Sequence, residues 1–342
     1  MLRSFMEPQK YENQILVGDV FDLLKQLPPK VAQLTITSPP YFQQHQYEGI
    51  EAGLADREIG QESSVGSYIH HLLSVFCECL RVTKDEGSIV FNLGDKYLSN
   101  GLQMVPARFA IRVLDTFKGV FLINEVRWVK SNPTPHTFRK RLITSHEPFF
   151  HFVKAKDYYF CLDDLEPEVE VSKPPKKKTG KKMGEKYRKH IDASDLTTEE
   201  KAKALAALNQ VVAEVESGKL PGYRMKIRGI HKEAYGGQEG GRNTQIRENG
   251  FSIIRCYDVP MQKDVVECRV ENIKGVDHPC PFPQQIIERF VKICTKPGDL
   301  VLDPFIGSGT TATAAKTLGR MYTGIELSAR YAQDTQQRLA KS

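Results

Sequence analysis

Apolar and polar residues follow one another along this chain in two different rhythms. Short apolar and β-branched runs, such as residues 14–20 and 33–38, are separated by segments with an apolar residue every three or four positions, such as residues 67–82. The runs are typical of buried strands, and the wider spacing is typical of amphipathic helices. Because the two alternate up to about residue 154 and again after 278, the pattern predicts a parallel, doubly wound α/β sheet.

The segment between these two parts has a different character. Residues 155–275 contain a basic run at 173–190, with nine Lys or Arg against one Glu, and an alanine-rich stretch that predicts a helix at 197–217. A glycine-rich, arginine-containing stretch follows. We therefore expect an insertion that is not part of the sheet, placed between two halves of one domain at 11–154 and 276–342.

Composition limits the function classes. The chain has 342 residues, of which 40% are hydrophobic and 26% charged, as expected for a soluble globular protein with one large domain and an insertion. No apolar run approaches the roughly 18 residues of a membrane span, and the N-terminus lacks a signal-peptide core. Seven scattered cysteines indicate reduced thiols and a cytoplasmic location. Cys77 and Cys79 lack a second ligand pair, so we expect no metal.

Charge adds one further hint. The formal net charge is +6, and the basic run concentrates much of it. Such a run indicates a polyanionic partner such as nucleic acid, although a solvated linker would have the same composition.

An unusual elbow follows the run at 33–38, where the chain reads Ser38-Pro39-Pro40-Tyr41. Proline cannot donate to a sheet ladder and stiffens the residue before it. The elbow therefore predicts a rigid strand end that presents one hydroxyl, backbone carbonyls and one aromatic ring.

A glycine-rich turn follows a second predicted strand. Residues 301–314 place Gly307-x-Gly309-x-x-Ala312 at the start of a helix, where a ligand can approach backbone N–H groups. Glu326 ends the next predicted strand and can accept ribose hydroxyls. Ligands of α/β sheets bind at the carboxyl ends of strands. If the two strands are neighbours, the elbow holds a substrate against a nucleoside-type cofactor.

The order of "TSPPY", "FNLGD", "HPCPFP", "DPFIGSGTT" and "GIELS" resembles that of the β-class DNA amino-methyltransferases, over about 11–154 and 276–338. The resemblance implies S-adenosylmethionine as cofactor and a seven-stranded, Rossmann-like methyltransferase sheet with circularly permuted motif order. It also implies methylation of an exocyclic amine in double-stranded DNA, with the inserted region recognising the target. In this family Ser at position 38 usually accompanies cytosine N4 and Asp accompanies adenine N6, so the resemblance favours cytosine N4.

Roles for single residues follow from the same resemblance. Ser38 Oγ and the Pro39 carbonyl accept hydrogens of the amine, Pro40 keeps them rigid, and Tyr41 offers a ring to the flipped base. Within the cofactor set, Asp19 matches the acid near the adenine amine, and Glu326 would hold the ribose. His278 has a second interpretation as a helix cap. The full cofactor set is Asp19, His278, Phe282, Asp303, Pro304, Phe305, Gly307, Ser308, Gly309, Thr310, Thr311, Glu326 and Leu327.

Basic residues mixed with aromatic rings at 127–148 suit a phosphate backbone and a flipped base, although a solvated loop is the alternative. Arginines of the insertion suit guanine contacts. The predicted DNA-binding residues are Lys130, His136, Arg139, Lys140, Arg141, Arg224, Arg228, Arg242 and Arg247.

Other functions explain less of the sequence. Cytosine C5 methylation needs a thiolate, and Pro279-Cys280 lies far in sequence from the elbow. A nicotinamide oxidoreductase shares the glycine turn but leaves Ser-Pro-Pro-Tyr unexplained, and a non-catalytic DNA-binding module leaves both motifs unexplained. Nothing in the motifs excludes RNA as substrate. No nuclease motif is evident, so a cognate restriction endonuclease would be a separate protein.

Overall fold

The computed structural model describes residues 5–44, 50, 53–133, 135, 140–163, 165, 183–231, 241–256, 262–270 and 283–341. His136, Arg139, His278, Phe282 and the first part of the basic run, residues 173–182, lie outside this range. The chain divides into two compact units. Unit 1 comprises Met1–Leu165 with Lys263–Ser342, and unit 2 comprises Glu166–Gln262.

Strands and helices alternate in unit 1 as the apolar pattern predicts. The strands of the two units are β1 (Gln14–Val17), β2 (Ala32–Thr37), β3 (Thr83–Asn92), β4 (Tyr97–Leu98), β5 (Gly101–Leu102), β6 (Phe121–Lys130), β7 (His146–Val153), β8 (Gly222–Ile227), β9 (Phe251–Cys256), β10 (Val265–Cys268), β11 (Leu300–Asp303) and β12 (Met321–Glu326). The α-helices are α1 (Val20–Gln26), α2 (Val65–Val82), α3 (Val105–Thr116), α4 (Glu185–Asp192), α5 (Thr198–Glu216), α6 (Arg242–Asn249), α7 (Gln284–Cys294), α8 (Thr310–Thr317) and α9 (Ala329–Lys341). Short 3₁₀ turns lie at Pro8–Lys10 and Ala55–Arg57.

Unit 1 is built on one sheet of eight strands in the order β1-β12-β11-β2-β3-β7-β6-β10. Every pairing is parallel except those of β7, which runs antiparallel to both β3 and β6. The predicted α/β class and doubly wound sheet are therefore confirmed, with β7 as an antiparallel exception. Because β7 is reversed, its first residues lie at the same edge as the last residues of its neighbours.

The eighth strand differs from the sequence expectation. We expected residues 155–275 to lie outside the sheet, whereas β10 (Val265–Cys268) pairs in parallel with β6. Val266 is buried in the core next to Trp128, and the Trp128 indole N–H donates to the Cys268 carbonyl over 3.2 Å. A four-residue edge strand with one inward side chain gives too weak a pattern to identify from sequence.

Helices cover both faces of the sheet. On β3, Ile89 and Phe91 pack in the core formed with α1, α2 and α3, while Val90 packs in the core formed with α7 and α8. Leu302 and Val301 of β11 divide between the two cores in the same way. This alternation is the signature of a strand buried on both sides.

The centre of the sheet places the two sequence motifs side by side. β2 and β11 are neighbours, with Val301 opposite Leu34 and Leu302 opposite Thr35. Since the pairing is parallel, the elbow after β2 and the glycine-rich turn after β11 leave the sheet at the same edge.

Unit 2 has its own small core. Strands β8 and β9 pair in antiparallel fashion, and α5 contributes Leu208 and Val211 to a cluster that includes Ile227. α5 begins with a capping box between Thr197 and Glu200. The end of the basic run is not a linker, because part of it forms α4.

Candidate active site

A crevice opens at the carboxyl edge of the sheet, where β1, β2, β11 and β12 end. It encloses about 600 Å³ of unoccupied space, part of it open to solvent. The crevice is lined by Gly18, Asp19, Val20, Ser38, Pro40, Ile50, Arg57, Glu58, Ile59, Pro304, Phe305, Gly307, Ile325, Glu326 and Leu327. Elbow and glycine-rich turn thus contribute to one cavity, as expected for neighbouring strands.

Asp303 joins the two central strands beneath this crevice. It is fully buried, and its carboxylate accepts from the Thr37 hydroxyl and the Thr311 hydroxyl, each over 2.6 Å, and from the Phe305 N–H over 3.0 Å. Burial raises its pKa to about 6, while these hydrogen bonds oppose the rise. In the structure Asp303 therefore ties β2 to the turn, and the predicted direct contact with a cofactor stays a prediction.

Glu326 forms the opposite wall at the end of β12. Its two carboxylate oxygens accept from the Gly307 and Ser328 N–H groups, each over 3.0 Å. Burial raises the pKa of Glu326 to about 7, and the negative charge of Asp303 adds to that rise. The carboxylate is thus fixed at the crevice wall, where it can accept hydrogens from a ligand.

The far side of the glycine-rich turn differs from expectation. Gly309 has φ +78°, and a Cβ there would lie 2.5 Å from Thr335 Cγ2 of α9. Thr335 Oγ1 donates to the Gly307 carbonyl over 2.6 Å, and Arg338 donates to the Ser308 carbonyl over 2.9 Å. Gly309 is glycine because α9 packs against it.

The four residues at this end of the turn do not line the crevice: Ser308, Gly309, Thr310 and Thr311. Thr311 instead donates to Asp303, and Thr310 contacts Ser308 and Arg338. Their assignment to the cofactor set stays a prediction, because motif spacing does not reveal which side of a turn faces a helix.

Asp19 and Arg57 form the rim near α1. Asp19 is the N-cap of α1 and accepts from the Phe21 and Asp22 N–H groups, each over 3.1 Å. The Arg57 guanidinium lies 2.5 Å from Asp22 and 3.4 Å from Asp19. One Asp19 oxygen is thus committed to the helix N-terminus, which fixes the carboxylate at the crevice.

The elbow is held from three directions. The Pro40 carbonyl accepts from the Tyr68 hydroxyl over 2.8 Å, and Pro39 is buried. A Cβ on Gly94 would lie 2.4 Å from the Tyr41 ring, so only glycine allows the ring its position. The elbow is therefore rigid, and Ser38 lies partly exposed in the crevice.

A buried polar cluster behind the elbow was not predicted from sequence. Tyr41 Oη lies 2.7 Å from Asn92 Oδ1 and 2.8 Å from Glu147 Oε2, and Ser38 Oγ lies 3.2 Å from Asn92 Oδ1. Glu147 also pairs with the Lys130 ammonium, which lies 4.9 Å from the centre of the Trp128 ring. The sequence signals were that Asn92 belongs to the "FNLGD" motif and that Glu147 adjoins a predicted strand.

Lys130 has a partner within the protein. Its ammonium pairs with Glu147, 21% of its side chain is exposed, and its contact with DNA phosphates stays a prediction. Arg141 stacks over the Tyr97 ring, with its guanidinium carbon 3.7 Å from the ring centre, and Lys140 is exposed.

Arginines of unit 2 fall into two groups. Arg228 donates to Glu200 over 2.8 Å and lies 3.5 Å from Asp195, so its guanidinium has partners within unit 2, and the predicted base contact stays a prediction. Three others are exposed and make no ion pair within the described part of the chain; we call them the arginine set: Arg224, Arg242 and Arg247.

Two searches of the described residues were negative. They contain no group of three or more His, Cys, Asp or Glu side chains able to hold a metal ion. No helix within the described ranges is long and apolar enough to cross a membrane.

Comparison with known proteins agrees with the fold. Residues 32–337 match the N6/N4 methyltransferase family model, described as DNA methylase. The chain therefore belongs to this family of DNA amino-methyltransferases. Among curated relatives, the Type II methyltransferase M.SfiI of Streptomyces fimbriatus is 25% identical, over 94% of this chain and 89% of that protein. M.BglII of Bacillus subtilis is 28% identical, over 95% of this chain and 68% of that protein.

Solved structures share the fold. The cytosine-N4-specific PvuII DNA methyltransferase aligns with a TM-score of 0.55 at 17% identity, covering 96% of this chain and 88% of that one. TTHA0409 of Thermus thermophilus, crystallised with S-adenosyl-L-methionine, aligns with a TM-score of 0.51 at 21% identity, covering 96% of this chain and 95% of that one.

Proposed function

We propose that this DNA methyltransferase transfers a methyl group from S-adenosylmethionine to the exocyclic N4 amine of a cytosine flipped out of double-stranded DNA. The observation that carries the proposal is the position of Ser38 Oγ, which lines the same crevice as Gly307 and Glu326. A hydroxyl at this position accompanies cytosine N4 in the family, and the structural neighbour from the PvuII system has that specificity in its name.

The crevice suits the cofactor. Glu326 offers a carboxylate to ribose hydroxyls, and the half-buried Phe305 offers an apolar surface to an adenine in the same crevice. When bound, S-adenosylmethionine supplies a methyl group on a positively charged sulfur. Asp19 lines the same crevice, and Asp303 lies beneath it, bonded to Phe305 and Thr311.

Ser38 and Pro39 act on the acceptor. The lone pair of an exocyclic amine is delocalised into the base, so the nitrogen becomes nucleophilic only as it turns tetrahedral. Acceptors fixed on its N–H groups favour that change and orient the lone pair towards the methyl group. Tyr68 and the buried Pro39 keep the elbow rigid, so Ser38 Oγ is held in position before the substrate arrives.

Basic residues in each unit suit contacts with DNA. In unit 1, Lys140 and Arg141 follow β6 at the carboxyl edge of the sheet. In unit 2, the arginine set is exposed and suits phosphates and bases. A target base inside a duplex is inaccessible, so it is flipped at a cost of a few kcal/mol. The cognate endonuclease of a Type II system would be a separate protein.

Mass spectrometry of nucleosides from DNA incubated with the protein and S-adenosylmethionine tests the proposal. N4-methylcytosine is the expected product. N6-methyladenine would retain the chemistry and refute the base assignment, and an unmodified digest would refute the function. The same assay on RNA should show no methylated nucleoside.

A further inference from the structure

The cluster behind the elbow has fewer hydrogens than short oxygen–oxygen contacts. Tyr41 Oη makes two short contacts, 2.7 Å to Asn92 Oδ1 and 2.8 Å to Glu147 Oε2. The Asn92 amide is oriented by its NH₂ group, which donates to the Pro148 carbonyl over 3.1 Å, so an oxygen and not a nitrogen faces Tyr41. One phenol hydrogen therefore has to serve two acceptors.

A single additional proton completes the cluster. With a hydrogen on Glu147 Oε2, the carboxyl donates to Tyr41 Oη, and Tyr41 donates to Asn92 Oδ1. Ser38 Oγ lies 3.3 Å from Tyr41 Oη, which connects the crevice to this pair of contacts. Buried polar groups are rarely left without hydrogens between them. The cluster can therefore take up one proton at Glu147 Oε2, and Ser38 Oγ and Tyr41 Oη form a line of oxygens from the crevice to that atom.

We infer that Glu147 receives the proton that the substrate amine loses on methylation, relayed through Ser38 and Tyr41. This inference rests on the proposed function. As the nitrogen–methyl bond forms, the carbon–sulfur bond breaks with its electron pair left on sulfur, and positive charge passes to the nitrogen. The amine proton then moves to Ser38 Oγ, the Ser38 hydrogen to Tyr41 Oη, and the Tyr41 hydrogen to Glu147 Oε2. Glu147 becomes a neutral acid, and the base product is neutral.

Lys130 makes this acceptor ready for the next cycle. Its ammonium pairs with Glu147 Oε1, the oxygen that faces away from Tyr41, so Oε2 is left to face the Tyr41 hydroxyl. The side chains of Lys130 and Glu147 are 21% and 12% exposed, which gives the proton a path to water between turnovers. Ser38 alone, as a neutral hydroxyl, could pass a proton on but could not keep it.

Single-turnover methyl transfer separates this relay from a purely structural role. Glu147→Gln keeps an oxygen that can accept from Tyr41 but cannot take up a proton, and Tyr41→Phe keeps the ring but removes the relay oxygen. Each should slow methyl transfer by about 100-fold or more, as expected when a positioned proton acceptor is lost. The double variant should be no slower than either single one, since all three interrupt the same relay.

Binding measurements and a matched variant complete the test. Capture of the flipped base, followed with 2-aminopurine at the target, and the cofactor Kd should stay within about twofold of wild type in both variants. Glu78→Gln removes a carboxylate that pairs with Arg81 on α2, away from the crevice, and should keep the wild-type rate.

A wild-type rate in Glu147→Gln would overturn the relay, and so would rate losses that multiply in the double variant. If Glu147→Gln does not fold, Tyr41→Phe decides alone: full activity with intact base capture would refute the inference. Failure of the wild-type protein to methylate DNA would instead refute the proposed function.

Discussion

Binding of a nucleoside to Glu326 should release a proton. Burial raises the pKa of Glu326 to about 7, so close to half of the free protein carries this proton at pH 7. Ribose hydroxyls donate hydrogens, and donors favour the ionised carboxylate. The pKa of Glu326 therefore falls in the complex, and affinity must rise with pH wherever the free protein is still protonated.

The magnitude follows from that pKa. With a pKa near 7, about one-eleventh of the free protein is ionised at pH 6, about half at pH 7 and about ten-elevenths at pH 8. If the bound form is ionised throughout, the association constant should rise about tenfold from pH 6 to pH 8 and level off above that. Asp303, with a pKa of about 6, can add at most about a factor of two over the same range.

Calorimetry with 5′-methylthioadenosine measures this coupling. The probe carries the ribose and adenine but has no amino-acid group that titrates between pH 6 and 8. Glu326→Gln is the control, and its affinity should change by no more than about twofold over the range. A pH-independent affinity in the wild-type protein would refute the reasoning. An equal slope in Glu326→Gln would assign the proton to another group and refute it as well.

Three further results are expected. Gly309→Ala should lower the free energy of unfolding by about 2–4 kcal/mol through backbone strain and overlap with Thr335. The control Gly298→Ala, where φ is +86° but the space is open, should lower it by about 1 kcal/mol. Equal losses of the two variants in urea titrations would contradict the packing argument. The stability of Asp303→Asn relative to wild type should increase by roughly 2–3 kcal/mol from pH 4 to pH 7.5. The raised pKa of the Asp303 carboxyl contributes stability that is present below the pKa of the unfolded state and is lost as pH rises through about 6. A stability difference between the two proteins that stays constant with pH in chemical unfolding would count against this prediction. Replacing the arginine set with Gln should weaken DNA binding on all sequences and flatten the dependence of log K on log salt, and an unchanged slope would remove unit 2 arginines from the phosphate contacts.

Residues at strand ends were the ones that sequence could identify. Ser38, Gly307 and Glu326 each follow a clear apolar run, and the carboxyl edge of a parallel sheet brings such positions together whatever the intervening chain does. To predict that these residues lie close together in the crevice, it was enough to assume that β2 and β11 are neighbours.

Contacts that depend on tertiary topology could not be read in this way. Glu147 reaches the elbow because β7 runs antiparallel, and a short apolar run carries no direction. Gly309 was expected to make room for a ligand, but the residue that packs against it is Thr335 of α9. Arg228 is of a residue type that often contacts bases, and its acidic partners Glu200 and Asp195 come close to it only in the folded structure of unit 2.

The order of strands in the sheet has a consequence for how the protein is made. Thr37 and Asp303, which bond across the centre, are 266 residues apart, and β1 is attached to the sheet through β12. While a ribosome is still translating unit 2, the residues of the elbow have already been synthesised, but β11 and β12 have not. Contacts this distant slow folding and leave strand edges open during synthesis. A newly made chain therefore completes its candidate active site only after β11 and β12 have emerged from the ribosome.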